Sequence, residues 1–179
     1  MSRKIDVFFI LKKHCQTLNV YKDGEEKISF IDVFSFFLLP ALLGVLVAFF
    51  SHGISDNILT LTVNFGAIST ALLMSVLVLV YDQEAKIKDV QDKSRLVGGS
   101  ADDKLILLKE LYQNICYTIV ASIVLVIFSV AGMSMIGENL SCFRQIGLQV
   151  TSGLVVAVFV NIVLTMLMVI KRFHALLTN

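Results

Sequence analysis

Uncharged apolar stretches alternate with charged ones along this chain, and the alternation sets its architecture. Four stretches, 33–50, 58–81, 115–136 and 148–170, contain no Asp, Glu, Lys or Arg. A hydrocarbon core of ~30 Å takes ~20 apolar residues of helix, and each stretch is close to that length. Backbone groups in hydrocarbon must be paired within their own segment, so helices are expected instead of open strands. The pattern predicts an all-α membrane protein with four transmembrane helices.

Composition agrees: 56% of residues are hydrophobic and 16% charged, with a mean hydropathy of +0.83. With four helices in 179 residues, little is left for a separate soluble catalytic domain. The domain plan is an N-terminal segment, 1–30, followed by a transmembrane domain, 31–179. The net charge of +1 hides an uneven distribution. Arg3, Lys4, Lys12, Lys13, Lys22 and Lys27 precede the first stretch. Lys86, Lys88, Lys93, Arg95, Lys104 and Lys109 lie between the second and third. The link 51–57 has no basic residue, the link after residue 136 only Arg144, and Lys171 and Arg172 follow the last stretch. Positive charge marks the cytosolic side, so both termini and 82–113 are expected in the cytosol. The apolar run 7–11 is shorter than a signal-peptide core of ~7–15 residues, so no cleaved leader is expected. Cys15, Cys116 and Cys142 fall at different depths or sides, which disfavours an internal disulfide.

The cytosolic segments carry their own patterns. Apolar Ile5, Phe8, Phe9 and Leu11 beside Lys12, Lys13 and His14 suit a short basic helix on a membrane surface. Asp23-Gly24 between 18–21 and 27–30 is a turn signal for a small hairpin; an irregular tail is the alternative. Pro40 should kink the first span or be accommodated by its neighbours. Residues 82–93 continue the second span without Gly or Pro. Glu84 and Lys88, and Asp89 and Lys93, are spaced i, i+4 with the acid first, the favourable order on a helix. Gly98-Gly99 breaks this pattern, and Ser100 with Asp103 resembles a capping box. We expect a cytosolic helical hairpin, 82–113, extending spans two and three as a stalk. Its basic residues Lys86, Lys88, Lys93 and Arg95 are candidates for docking a cytosolic partner, because a bare connection needs far fewer residues.

Inside the stretches the polar residues are mild. Asn64, toward the outer side, and Asn161, near mid-span, are the costliest to leave in lipid and should face a helix, a subunit or water. Gly66 with Thr70, Ala67 with Ala71, and Gly153 with Ala157 are spaced for close helix contact. Asn64, Gly66, Thr70, Gly153, Ala157 and Asn161 are therefore candidate intramembrane interface residues, serving either bundle packing or a pore. No charged residue lies within a span, as an ion or proton carrier would need. His14, His52 and His174 are far apart and near the surfaces, and no nucleophile–base pattern occurs, so neither an enzyme, a metal site nor a cofactor is expected.

Two phrases carry a family likeness. Residues 18–21 and Ile28-Ser29-Phe30-Ile31-Asp32 lead into Phe36-Phe37-Leu38-Leu39-Pro40; later, Leu107-Leu108-Lys109-Glu110-Leu111-Tyr112-Gln113-Asn114-Ile115 enters the third span. Together they resemble small four-span membrane proteins of prokaryotic antiviral defence loci, and the size and layout look like the membrane subunit of the Kiwa system. The likeness covers the whole chain as a layout and assigns no individual residue. It implies a bacterial inner-membrane location, a homo-oligomer, and a cytosolic nucleic-acid-binding partner encoded alongside, with DNA as the candidate ligand of that partner; direct nucleic-acid binding by this chain itself is not expected. It also implies detection of phage infection at the envelope. Two functions are compatible with the sequence: a membrane sensor and scaffold, or a pore-forming effector that depolarises the cell. The outer links, 51–57 and 137–146, are short, so membrane deformation or depolarisation is the expected stimulus.

Overall fold

Three long helices dominate the computed structural model, which describes residues 7–16, 19–22, 25–28, 34–50, 53–93, 100–137 and 142–178. In chain order the elements are α1 (Val7–Gln16), β1 (Asn19–Lys22), β2 (Glu25–Ile28), a π-helical turn (Phe34–Leu38) running into α2 (Leu39–Phe50), α3 (Asp56–Lys93), α4 (Ser100–Met135) and α5 (Cys142–Thr178). The two strands pair antiparallel on either side of Asp23-Gly24, with Lys22 opposite Glu25. The helices α3, α4 and α5 contain 38, 36 and 37 residues, about 55 Å each. All three are long and apolar enough to cross a membrane. The fourth apolar stretch is shorter, 5 π-helical and 12 α-helical residues.

Sequence explains where these helices start and run. The Ser55 carbonyl accepts from the Ile58 and Leu59 amides, and Asp56 stands in the first turn of α3, where the helix dipole favours an anion. From there to Lys93 no Gly-Pro or Gly-Gly interrupts, so the helix continues through Tyr81 into its charged half. Lys88 Nζ donates to Glu84 Oε1 at 2.6 Å, one turn apart.

Burial is inverted relative to a water-soluble protein. Leu61, Ile68, Leu72, Val78 and Ile127 are each about 60% exposed, while Asn114, Thr118, Ser122, Ser129 and Thr165 are fully buried. In water that distribution would cost apolar hydration along every helix. In hydrocarbon it is the favourable one, because polar groups need partners and apolar groups do not. Most of the inward hydroxyls solve the problem locally. Thr118, Ser122 and Thr165 each donate to the carbonyl four residues back, at 2.7–2.9 Å.

Helix α4 packs between α3 and α5, and α2 packs along α5. One core cluster joins Leu73 and Val80 of α3 to Leu108, Leu111 and Ile115 of α4, with Ile87 and Phe173 against it; a second centres on Leu59, Leu125, Val155 and Ile162. The α2–α5 contact is made through small residues. A Cβ at Gly44 would stand 2.6 Å from the Gly153 carbonyl oxygen and 2.8 Å from Ala157 Cβ; a Cβ at Gly153 would stand 2.6 Å from the Gly44 oxygen and 2.8 Å from Ala48 Cβ. Gly44 with Ala48 and Gly153 with Ala157 thus form two matched small-residue pairs one turn apart. Backbones this close gain dispersion contacts that Leu or Val would forbid.

A polar junction between four elements as the candidate functional site

Helices α1, α4 and α5 and the π-helical turn before α2 meet at two hydrogen-bonded groups joined by a ring stack. The first begins at His14, which is fully buried. His14 Nδ1–H donates to Asn114 Oδ1 at 2.8 Å, and the imidazole stacks on the Tyr117 ring at 3.9 Å and 3°. Phe37 covers it at 6.4 Å. The Tyr117 hydroxyl donates to Asn161 Oδ1 at 2.7 Å. Asn161 Nδ2 in turn donates to the carbonyl of Phe36 at 2.8 Å.

That last bond answers the question posed by Pro40. In an α-helix the Phe36 carbonyl accepts from the amide of residue 40, and proline has no N–H. The backbone adjusts into a π-helical turn over Phe34–Leu38, and the Asn161 carboxamide of α5 supplies a donor to Phe36. An intramembrane asparagine thereby satisfies a proline-freed carbonyl on a neighbouring helix. Pro40 itself is buried.

His14 is the titratable member of the junction outside the apolar stretches. Burial, the largest influence, lowers its pKa below 6.5; the Asn114 bond opposes this, and the Arg172 charge reinforces it. Arg172 Nη1 pairs with Glu110 Oε2 at 2.9 Å, joining α5 to α4 beside the junction. The ring is therefore held neutral, a filler and a hydrogen-bond donor that ties α1 to α4. His14 is thus covered by the bundle and does not belong to an open basic face with Lys12 and Lys13, while Phe9 and Leu11 of the same helix are 58% and 40% exposed.

The candidate interface residues divide into two groups. Gly66, Thr70, Gly153, Ala157 and Asn161 serve contacts within one chain. A Cβ on Gly66 would meet Val126 Cγ2 at 2.7 Å and the Ser122 oxygen at 3.1 Å, and Thr70 Oγ1 donates to the Gly66 carbonyl at 2.8 Å. Asn64 stands apart, exposed on α3 in line with exposed Thr60, Ala67, Ala71 and Ser75. Of the candidate docking residues, Lys86 and Lys88 are exposed, with Lys88 paired to Glu84. Lys93 ends α3, while Arg95 and Gly98-Gly99 lie outside the described residues. Cys116 is a free, half-buried thiol. Among the described residues no three His, Cys, Asp or Glu come together. The junction ties α1, α4, α5 and the turn before α2 to one another through His14, Asn114, Tyr117 and Asn161.

Sequence reasoning missed His14, Asn114 and Tyr117. One signal was present: Asn114 and Tyr117 lie just past Lys109 and Glu110, where the charged part of α4 ends. Comparison with family models, with curated proteins and with solved structures returns no match.

Proposed function

We propose that the chain is a four-span subunit of a bacterial inner-membrane anti-phage defence complex, acting as a sensor and scaffold. Copies of it assemble in the membrane, and its cytosolic stalk, 82–113, docks a cytosolic effector that binds DNA. Both termini lie on the stalk's side of the membrane. The likeness to the Kiwa membrane subunit supplies the biological setting, and the basic residues flanking the spans supply the orientation.

The observation that carries the scaffold reading is packing that continues past the uncharged part of the helices. Ile87, Leu108 and Phe173, all outside the uncharged stretches, belong to or pack against the cluster that includes Val80 at the end of the second stretch. In water these contacts gain the hydrophobic free energy that helices in lipid lack. A stem held this way presents Lys86 and Lys88 at fixed positions, which a slack connection would not do. For the fourth span, support comes from α2 running antiparallel along α5, with Phe36 bonded to Asn161 and Gly53 against Leu148, a traverse of ~20 Å. At the far end the Ile54 amide donates to Ser152 Oγ at 3.0 Å.

One observation favours the pore-forming effector as a second reading: Thr60, Asn64 and Ser75 face outward on α3, where a ring of subunits would turn them toward a lumen. The two readings separate in one experiment. The tagged chain is purified in mild detergent with the product of the adjacent gene, beside a variant carrying Lys86→Glu, Lys88→Glu, Lys93→Glu and Arg95→Glu. A scaffold loses its partner by about tenfold or more while staying in the membrane. Binding that survives removes the stalk surface as the dock. An ion leak abolished by Asn64→Leu would establish the pore instead.

A further inference from the structure

A cleft of about 610 Å³ opens between α1, α3 and α4. Its walls are Phe9, Ile10 and Tyr112, and its charged groups are Lys13, Lys109 and Glu84. Glu84 is already engaged by Lys88 at 2.6 Å, so the two lysines give the cleft a positive balance. They come from different helices. Lys13 Nζ sits 5.8 Å from the Phe9 ring centroid, over an apolar floor.

The cleft lies at a boundary in the sequence. Lys109 and Glu110 are the last charged residues of α4, which runs uncharged from Leu111 to Met135. Below the cleft on the same face of α4, at helical spacing from Tyr112 and Cys116, stand Ile123 and Ile127, 47% and 59% exposed. On its α1 side stands the exposed Phe9; Leu11 of the same helix is exposed too, and among the described side chains of α1 His14 is the buried one. A helix that points apolar side chains outward at the end of a charged segment is placed for the headgroup boundary of a bilayer. Positive charge, an apolar floor and an apolar track leading away are the complement of one molecule.

We propose that this cleft binds an anionic phospholipid, its phosphate between Lys13 and Lys109 and its acyl chains along Ile123 and Ile127. The inference rests on the membrane reading above. A zwitterionic lipid fits less well, because its own cationic group meets the lysines. The bound lipid bridges α1 to α4 beside the His14–Asn114 bond and couples membrane composition to the junction.

The test uses the full chain in a neutral detergent, titrated with short-chain phosphatidylglycerol, phosphatidylcholine or inorganic phosphate, with lipid retention read by native mass spectrometry. Wild type is compared with Lys13→Gln/Lys109→Gln and with a control, Lys12→Gln/Lys171→Gln, which removes the same charge outside the cleft. The expected result is a preference for phosphatidylglycerol that falls roughly 10- to 30-fold in the cleft variant and persists in the control. Equal binding of the two lipids, or an unchanged preference in the cleft variant, overturns the site. Competition by inorganic phosphate at the lipid's own concentration overturns it too, in favour of a free-anion site. Extraction of the chain from cells without detergent would overturn the membrane reading itself, an outcome distinct from loss of lipid preference in a chain that needs detergent.

Discussion

Asn161 and Asn64 both occupy uncharged apolar stretches, yet the fold treats them in opposite ways. The α5 residue is buried between two partners, accepting from Tyr117 and donating to Phe36. The α3 residue is exposed on the single chain, in line with Thr60, Ala67, Ala71 and Ser75. A carboxamide in hydrocarbon needs partners in either case. Asn161 finds them within the chain because Pro40 leaves the Phe36 carbonyl without its helical donor. Asn64 faces a surface where they must come from a second subunit, from water in a lumen, or from the headgroup region. One asparagine thus stabilises the fold of the chain, and the other is left exposed for a partner outside it.

The comparison sharpens first at the seam that Asn161 shares with the small residues. Gly44→Leu places a branched side chain where a single Cβ already falls 2.6 Å from a carbonyl oxygen. It should cost about 3 kcal/mol or more in detergent unfolding and separate α2 from α5. Asn161→Leu comes next. It strands the Tyr117 hydroxyl and the Phe36 carbonyl in apolar surroundings, and should cost about 2 kcal/mol in the same assay. A loss near zero would show that neither group depends on Asn161.

The third effect is smaller and depends on pH. Because burial holds the His14 pKa below 6.5, the unfolded chain takes up a proton before the folded one does. The stability that neutral His14 contributes is therefore complete above 6.5 and falls as pH drops through 6.5 toward the folded value. Hydrogen exchange of α1 amides should quicken across that window, and His14→Gln should remove the dependence. Smallest of all in stability is Asn64→Leu, expected to change single-chain unfolding by less than about 0.5 kcal/mol while lowering the subunit number seen in mild detergent. An unchanged assembly would exclude Asn64 from the subunit contact.

The same two residues show how much of this was legible in the sequence. Long apolar helices followed from uncharged runs, and the helical continuation past Tyr81 followed from alternating charge with Glu84 and Lys88 one turn apart. Gly153 and Ala157 stood out by spacing. Their partners Gly44 and Ala48 did not, because a seam needs both sides and their pairing is set by tertiary contact. Nothing local distinguishes Asn64 from Asn161, since each is one polar residue in an apolar helix and its direction depends on which face the neighbours cover. The burial of His14 was hidden for a related reason. Beside Lys12 and Lys13 it looks like part of a solvated basic face, and it is drawn inward by the bonded Asn114 and the stacked Tyr117, 100 and 103 positions along the chain.

The central claim is that α2 crosses the membrane and returns α1 to the side that carries the charged ends of α3 and α4. It is tested most directly by labelling with a membrane-impermeant maleimide. In a chain whose three cysteines are replaced, single reporters are introduced as Lys12→Cys, Ser55→Cys and Lys88→Cys. We predict that Ser55→Cys is labelled in intact spheroplasts, and that Lys12→Cys and Lys88→Cys are labelled only after lysis. Labelling of Lys12→Cys and Ser55→Cys from the same side, opposite to Lys88→Cys, would contradict it and leave three spans.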